Sequence, residues 1–369
     1  MVKRASQVAA AGALALGLLC PSGSAQAACS QQTVDVSNDL ALECLIGPRR
    51  AKESSDPTLR EQSMYRSLLS ELSAVMALPI LEPADTVGYS GFHFSFDVTA
   101  TSIKKDNPYW SGYLQPDGNR SQAGVRNVSG SFLPVATIML RKGMWTPLPP
   151  LPSVELGLGA SNLLQSGIFA LNGYFKLALH EGYHDLPIPS LALRASVSRI
   201  AGAPQVDLTV ITAEGQVSKA FGVGGTFTLE PYVGGGVLFS IVRSQVIDTA
   251  PTIDLYRGPS PLPPTGYNPA EALAQKTVFP TQDDIMRWRV FGGINLHYAI
   301  VSLTGYFGYF GVGADNGYDV STLPTPANTQ AATSGAAACR TDRTTNANVC
   351  PKDLAGDQFQ VGGSLGLRF

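Results

Sequence analysis

The sequence predicts an all-β chain, on two observations. Its 369 residues include 38 glycines and 26 prolines, with 15% charged and 44% hydrophobic residues. That is a poor composition for a helical enzyme and an ordinary one for strands joined by many turns. The second observation is alternation. In GFHFSFDVTA, Phe92, Phe94, Phe96, Val98 and Ala100 share one face, and His93, Ser95, Asp97 and Thr99 share the other. A strand with one apolar and one polar side has this period of two. The formal net charge of −2, with no basic run interleaved with aromatics, excludes nucleic acid as a partner.

The chain opens on an address. Lys3 and Arg4 precede the apolar run VAAAGALALGLLC, and AQA at 25–27 offers small residues for cleavage. Residues 1–27 therefore read as an export signal, with the exported chain starting near Ala28. Lipoprotein processing fits poorly, because Leu19 is too bulky before Cys20 and Gln26 stands where an aliphatic residue is usual before Cys29. No later run of 18 apolar residues exists, so no transmembrane helix is expected after the signal.

Alternation then recurs. Phe169, Leu171, Phe175, Leu177 and Leu179 oppose Asn172, Tyr174 and Lys176, and Leu191, Leu193, Ala195 and Val197 oppose Arg194, Ser196 and Ser198. Leu229, Val233, Val237, Phe239 and Ile241 oppose Glu230, Tyr232 and Ser240, and Val301, Leu303 and Phe307 oppose Ser302, Thr304 and Tyr306. A soluble sandwich alternates in the same way, and the last residues choose between the two. DQFQVGGSLGLRF ends with Phe359, Val361, Leu365, Leu367 and Phe369 on one face. It resembles the terminal strand of Gram-negative outer-membrane β-barrels, in which a final phenylalanine and the alternate apolar residues before it are read by the barrel assembly machinery. VSKAFGVGGTFTLEPYVGGGVLFS resembles the strand, tight periplasmic turn and returning strand of many small outer-membrane barrels. The resemblance covers residues 87–369 in architecture. It implies a transmembrane antiparallel up-and-down β-barrel in the outer membrane, surrounded by lipid and lipopolysaccharide, with Leu365, Leu367 and Phe369 as the assembly signal. Strands of roughly 9 to 11 residues suit a tilted membrane crossing.

Ten strands are expected, near 88–101, 131–145, 152–161, 167–180, 189–200, 205–221, 226–242, 286–297, 300–312 and 357–369, with eight or twelve still possible. The second is the weakest, since Pro134 interrupts it and both its faces are apolar. Parity puts the long segments 102–130, 243–285 and 313–356 outside and short turns in the periplasm. The four cysteines left after cleavage are expected to pair locally, Cys29 with Cys44 and Cys339 with Cys350, the first pair periplasmic and the second in an outer loop.

Residues 28–86 read as a periplasmic segment with one helix of about five turns. Asp56 precedes Pro57, Thr58 and Glu61 have capping-box spacing, and Tyr65, Leu68, Leu69, Leu72, Val75 and Met76 form an apolar stripe ending before Pro79. The helix is expected against the barrel rim, because a barrel of about ten strands is nearly filled by its own side chains. A helix inside the lumen would imply more strands.

Polar residues expected to face the lumen are His93, Asp97, Lys176, Arg194, Asp207, Glu230, Arg289 and Arg368, opposite charges pairing across a narrow bore and blocking it. His93, Ser95 and Asp97 share a face, but lie about 6 to 7 Å apart per two positions along one strand, too far for direct hydrogen bonds. No enzyme, cofactor or metal is therefore expected. Tyr109, Trp110, Tyr256 and Tyr267 in the outer loops are candidate surface-ligand contacts. HEGYH at 180–184 has the lettering of a zinc-protease helix. It follows an alternating run and precedes HDLPIPS, so it reads as a turn in which extended chain would hold the imidazoles about 13 Å apart. Three functions stay open: a binding, structural or adhesive surface protein, then a passive channel or facilitator for small or apolar molecules, then a membrane-embedded hydrolase. Oligomeric state is not legible.

Overall fold

Ten strands close on themselves in the computed structural model, which describes residues 40–46, 59–113, 130–145, 152–181, 188–223, 226–248, 276–313, 329–331, 340–342, 348–349 and 351–369. They are β1 (Phe92–Ser102), β2 (Phe132–Trp145), β3 (Ser153–Leu163), β4 (Phe169–His180) and β5 (Ser190–Ala201). β6 (Val206–Ser218), β7 (Phe227–Ser244), β8 (Gln282–Tyr298), β9 (Val301–Val312) and β10 (Gln358–Arg368) complete the set. Each pairs antiparallel with the next, and β10 returns to β1, placing Leu365 opposite Phe96. Backbone bonds between Phe92 and Phe369 finish the seam. Closure leaves no unpaired edge. Pro134 sits in β2, where Ala100 faces it across the pair.

One end of the barrel has only short connections. β8 and β9 are joined through Ala299, whose φ of 51° reverses the chain in two residues. β1 starts and β10 finishes at this end, whereas the long connections 103–131, 245–281 and 313–357 gather at the other. The short-turn end is the periplasmic one and the long-loop end the external one for this class.

The outer wall is apolar around the whole circumference: Phe94, Phe96, Ile138, Leu158, Leu171, Leu193, Val233, Ile294, Leu303 and Leu365 are all exposed. Aromatic side chains border the belt on both sides. Phe227 stacks on Tyr298 at the periplasmic margin, and Trp288, Tyr309 and Phe359 cluster at the external one. Leu365, Leu367 and Phe369 lie exposed on this wall. No helix among the described residues is long and apolar enough to cross a membrane; the strands make the crossing.

The helix contradicts its expected place at the rim. α1 (Leu59–Met76) lies inside the barrel, with Tyr65, Leu68, Leu69, Leu72, Val75 and Met76 buried. They pack on Leu133 and Val135 of β2, Leu163 of β3, Val206, Leu208 and Val210 of β6, Leu238 and Val242 of β7, and Phe310 of β9. A ten-strand bore accommodates a helix here because the inward faces at that level are mainly aliphatic, with Arg287 buried among them and donating to the Gly356 carbonyl. The other buried cations of the wall are set lower, where the chain after Met76 is extended and narrower. Helix above and extended strand below match a lumen whose lining changes from apolar to polar along its axis.

Candidate functional site in the barrel lumen

Residues 77–91 run from the end of α1 to the start of β1 as a strap down the lower lumen. A segment cut off from water must find partners for its peptide groups, and the barrel wall supplies them. Arg289 donates to the Leu78 carbonyl at 3.1 Å, Arg194 to Pro79 at 3.2 Å, and the Tyr232 hydroxyl to Ile80 at 2.8 Å. Lys176 reaches the carbonyls of Pro83 and Asp85, Gln216 also reaches Pro83, and Arg368 reaches Thr86. In the other sense, the Ala84 N–H donates to Ser218, Thr86 to Glu181, and Val87 to Glu155.

Glu82 is the strap side chain that the wall grips by charge. Its carboxylate lies 2.8 Å from Arg141 and 3.5 Å from Arg194, and accepts a hydrogen bond from Tyr174 at 3.0 Å. The same Tyr174 hydroxyl lies 2.6 Å from Glu155, so its one proton is shared between the two carboxylates, and the ring carries the Arg194 guanidinium at 4.3 Å. Glu155 pairs with Lys176 at 3.2 Å, and Glu214 pairs with Arg289. Gly157 makes room for this arrangement: a Cβ there would enter the Tyr174 ring. Lys176, Arg194 and Arg289 thus each have both a carboxylate and a main-chain carbonyl against them, which is what keeps buried charge tolerable.

The expected lumen residues sort as follows. His93, Asp97, Lys176, Arg194, Glu230 and Arg289 are buried in the bore, and Arg368 sits at its periplasmic end. Asp207 does not face the lumen. It pairs with Arg199 on the outer wall near the external rim, where β6 turns Val206 and Leu208 inward. Polarity is reversed at that level, since the inner face meets α1 and the outer face stands above the apolar belt. Glu82, Arg141, Glu155 and Glu214 are not among the residues expected in the lumen, and Tyr174 enters only as part of the polar face of its strand. For the four wall residues the signal is the polar half of each strand's inward face, as in Thr212, Glu214, Gln216 and Ser218 after Val206, Leu208 and Val210.

His93 and Asp97 do not join. Arg141 donates to His93 Nδ1 at 2.6 Å, so Nε2 carries the proton and donates to Ser302 at 2.8 Å. In that tautomer His93 cannot take the Ser302 proton. Asp97 instead accepts from Ser364 at 2.5 Å. His180 closes β4, a strand, while Glu181 holds the strap at Thr86 by N–H and hydroxyl; His184 lies outside the described residues.

The external mouth is built around α1. Glu71 accepts from Tyr109 at 2.6 Å, Trp110 at 2.8 Å and the Gly356 N–H at 3.1 Å, tying two loops to one carboxylate. Burial, and then the Glu71 charge, push the Tyr109 hydroxyl above its ordinary pKa. Tyr109 and Trp110 are therefore buried in the mouth and not available as surface contacts; Tyr256 and Tyr267 lie outside the described residues. Ser63 and Ser67 accept from Lys352 and Leu354, and Arg66 pairs with Asp284. Leu40–Ile46 lies at this end too. Leu40 bridges to Tyr113, the Leu42 N–H donates to Gln205, and Gln205 donates to Glu43. Cys44 is thus at the external mouth and not in the periplasm. Cys29, Cys339 and Cys350 lie outside the described residues.

Closure, the apolar outer wall and the two aromatic margins decide the class. The chain is an integral outer-membrane β-barrel protein. No protein-family model matches it, and a search of curated proteins finds no match. Among solved structures the barrel is similar to neisserial surface protein A, with 9% identity, TM-score 0.26, and 75% of this chain and 95% of that one covered. It is also similar to the outer-membrane protease OmpT from Escherichia coli, with 10% identity, TM-score 0.31, and 80% and 99% covered. A third is LpxR from Salmonella typhimurium, with 9% identity, TM-score 0.27, and 74% and 99% covered.

Proposed function

We propose that the barrel is a closed, non-enzymatic anchor that presents a fixed binding or adhesive surface at the external mouth. The observation that carries this reading is the filled lumen. α1 and the strap occupy it from mouth to periplasmic rim, and Glu71 holds loop residues 104–110 and 356 against α1. A surface whose loops are already pinned loses little entropy on binding. Lipid and lipopolysaccharide surround the belt in this reading, the assembly machinery reads Leu365, Leu367 and Phe369, and local disulfides brace the segments outside it. The test is conductance of the refolded protein in planar bilayers. Absence of steady current is expected, and a steady ohmic current would replace the anchor with the channel reading. Turnover in a lipase or protease screen that disappears in His93→Ala would replace it with the hydrolase reading.

A further inference from the structure

The direction of the chain poses a topological problem. β1 starts at Phe92 at the periplasmic end, yet Leu40–Ile46 rests at the external end against Tyr113 and Gln205. α1 and the strap join those two places through the lumen. Leu40–Ile46 therefore stands at the opposite end of the bore from the point where the barrel begins, with α1 and the strap filling the lumen between. A chain delivered to the outer membrane arrives from the periplasm, so that segment has to reach the outer side.

We propose that this barrel exports its own N-terminal segment, with the lower lumen serving as a conduit for extended polypeptide and the residues upstream of α1 held at the cell surface. This goes beyond the anchor reading, which assigns the surface to the loops. The wall contacts fit the task. Arg289, Arg194, Tyr232, Lys176, Gln216 and Arg368 bind main-chain carbonyls, which every residue carries, so the wall grips whichever part of the chain is passing. Glu82, between Arg141 and Arg194, sets the resting register.

Width supplies the direction. A helix with its side chains is about 10 to 12 Å across, whereas the lower lumen is filled by an extended strap against Tyr174, Tyr232 and Tyr306. The segment passes extended, and α1 forms only in the apolar upper chamber that its buried stripe matches. Once helical, it is too wide to slide back.

Trypsin added to intact cells tests this on the unmodified chain. Cleavage at Arg49, Arg50 or Lys52, read as loss of the N-terminal fragment and a downward shift of the folded band, is the expected result. Cleavage there only after the outer membrane is permeabilised would overturn it. Where trypsin cuts in neither state, an epitope tag after Ser54 decides: antibody binding to intact cells supports export, and binding only after permeabilisation overturns it. A tag at Gln165, in an external turn, is the control. If that tag is also hidden on intact cells, the assignment of the two ends fails and the anchor reading falls with it; if it alone is exposed, only export falls. Tagged chains are scored only where they keep the heat-dependent gel shift of a folded barrel.

Discussion

Glu82→Gln is the sharpest probe of the strap. The substitution keeps the shape of the side chain and removes the charge that faces Arg141 at 2.8 Å and Arg194 at 3.5 Å. Removing one partner of a buried ion pair costs about 3–5 kcal/mol, because the other charge is left uncompensated. Here the lower end applies, about 3 kcal/mol, since Arg141 retains Asp97 at 3.8 Å and Arg194 retains Glu214 at 4.0 Å. At about 1–2 °C per kcal/mol for a chain of this size, the expected fall in Tm is roughly 3–6 °C. The assay is thermal unfolding in mild detergent, followed by loss of the compact gel band. Adding Arg141→Gln to Glu82→Gln should return part of the loss, as coupled partners do. A Glu82→Gln protein melting within about 2 °C of the wild type would refute the claim that the strap is latched by charge.

Gly157→Ala should act on the same latch from behind, driving the Tyr174 ring off Glu82 and Glu155 and lowering Tm, with Gly173→Ala, which meets only ordinary contacts, as the unaffected control. Glu71→Ala should unpin the mouth, so that limited proteolysis cuts within 103–113 and 351–357 at least several-fold faster while β-structure measured by circular dichroism is unchanged. Phe96→Arg puts a charge in the outer apolar belt opposite Leu365 and should cost about 2–4 kcal/mol, read as a reduced folded fraction in lipid vesicles. Burial holds the Asp353 carboxyl above its ordinary range, so the loop end it belongs to is most stable below the unfolded pKa of about 3.9 and loosens as pH rises through the raised folded value. Protease sensitivity of 351–357 should climb across that window and lose its pH dependence in Asp353→Asn.

Strand positions were legible because alternation is local: the ten runs expected from side-chain period correspond to the ten strands, and Phe92 to Ala100 alternate in burial as written. The place of the helix was not legible from its own stripe, which fits a rim or a lumen equally well. The informative residues were in the wall. Leu133 and Val135 on the inward face of β2 look like a weakness of that strand when the lumen is assumed polar; they are the seat of α1. Asp207 was misplaced for the same reason, since a rule of polar residues inward holds only below the helix. Glu82 carries no local signal at all. Its partners lie on β2 and β5, and only closure of the sheet brings them to one point.

The strap also gives the molecule a load path. One covalent thread touches the mouth, through Glu71 on loop residues and Arg66 on Asp284 of β8, and the periplasmic rim, through Thr86 with Arg368 and Glu181. A pull on the surface segment would run along the barrel axis, while the bonds from the wall to the strap carbonyls point across it. Such bonds are loaded in shear and share the force, instead of peeling one after another. Whatever attaches to the outside of this barrel would therefore be moored to its inner rim, and the lipid-facing wall would bear the tension as a whole.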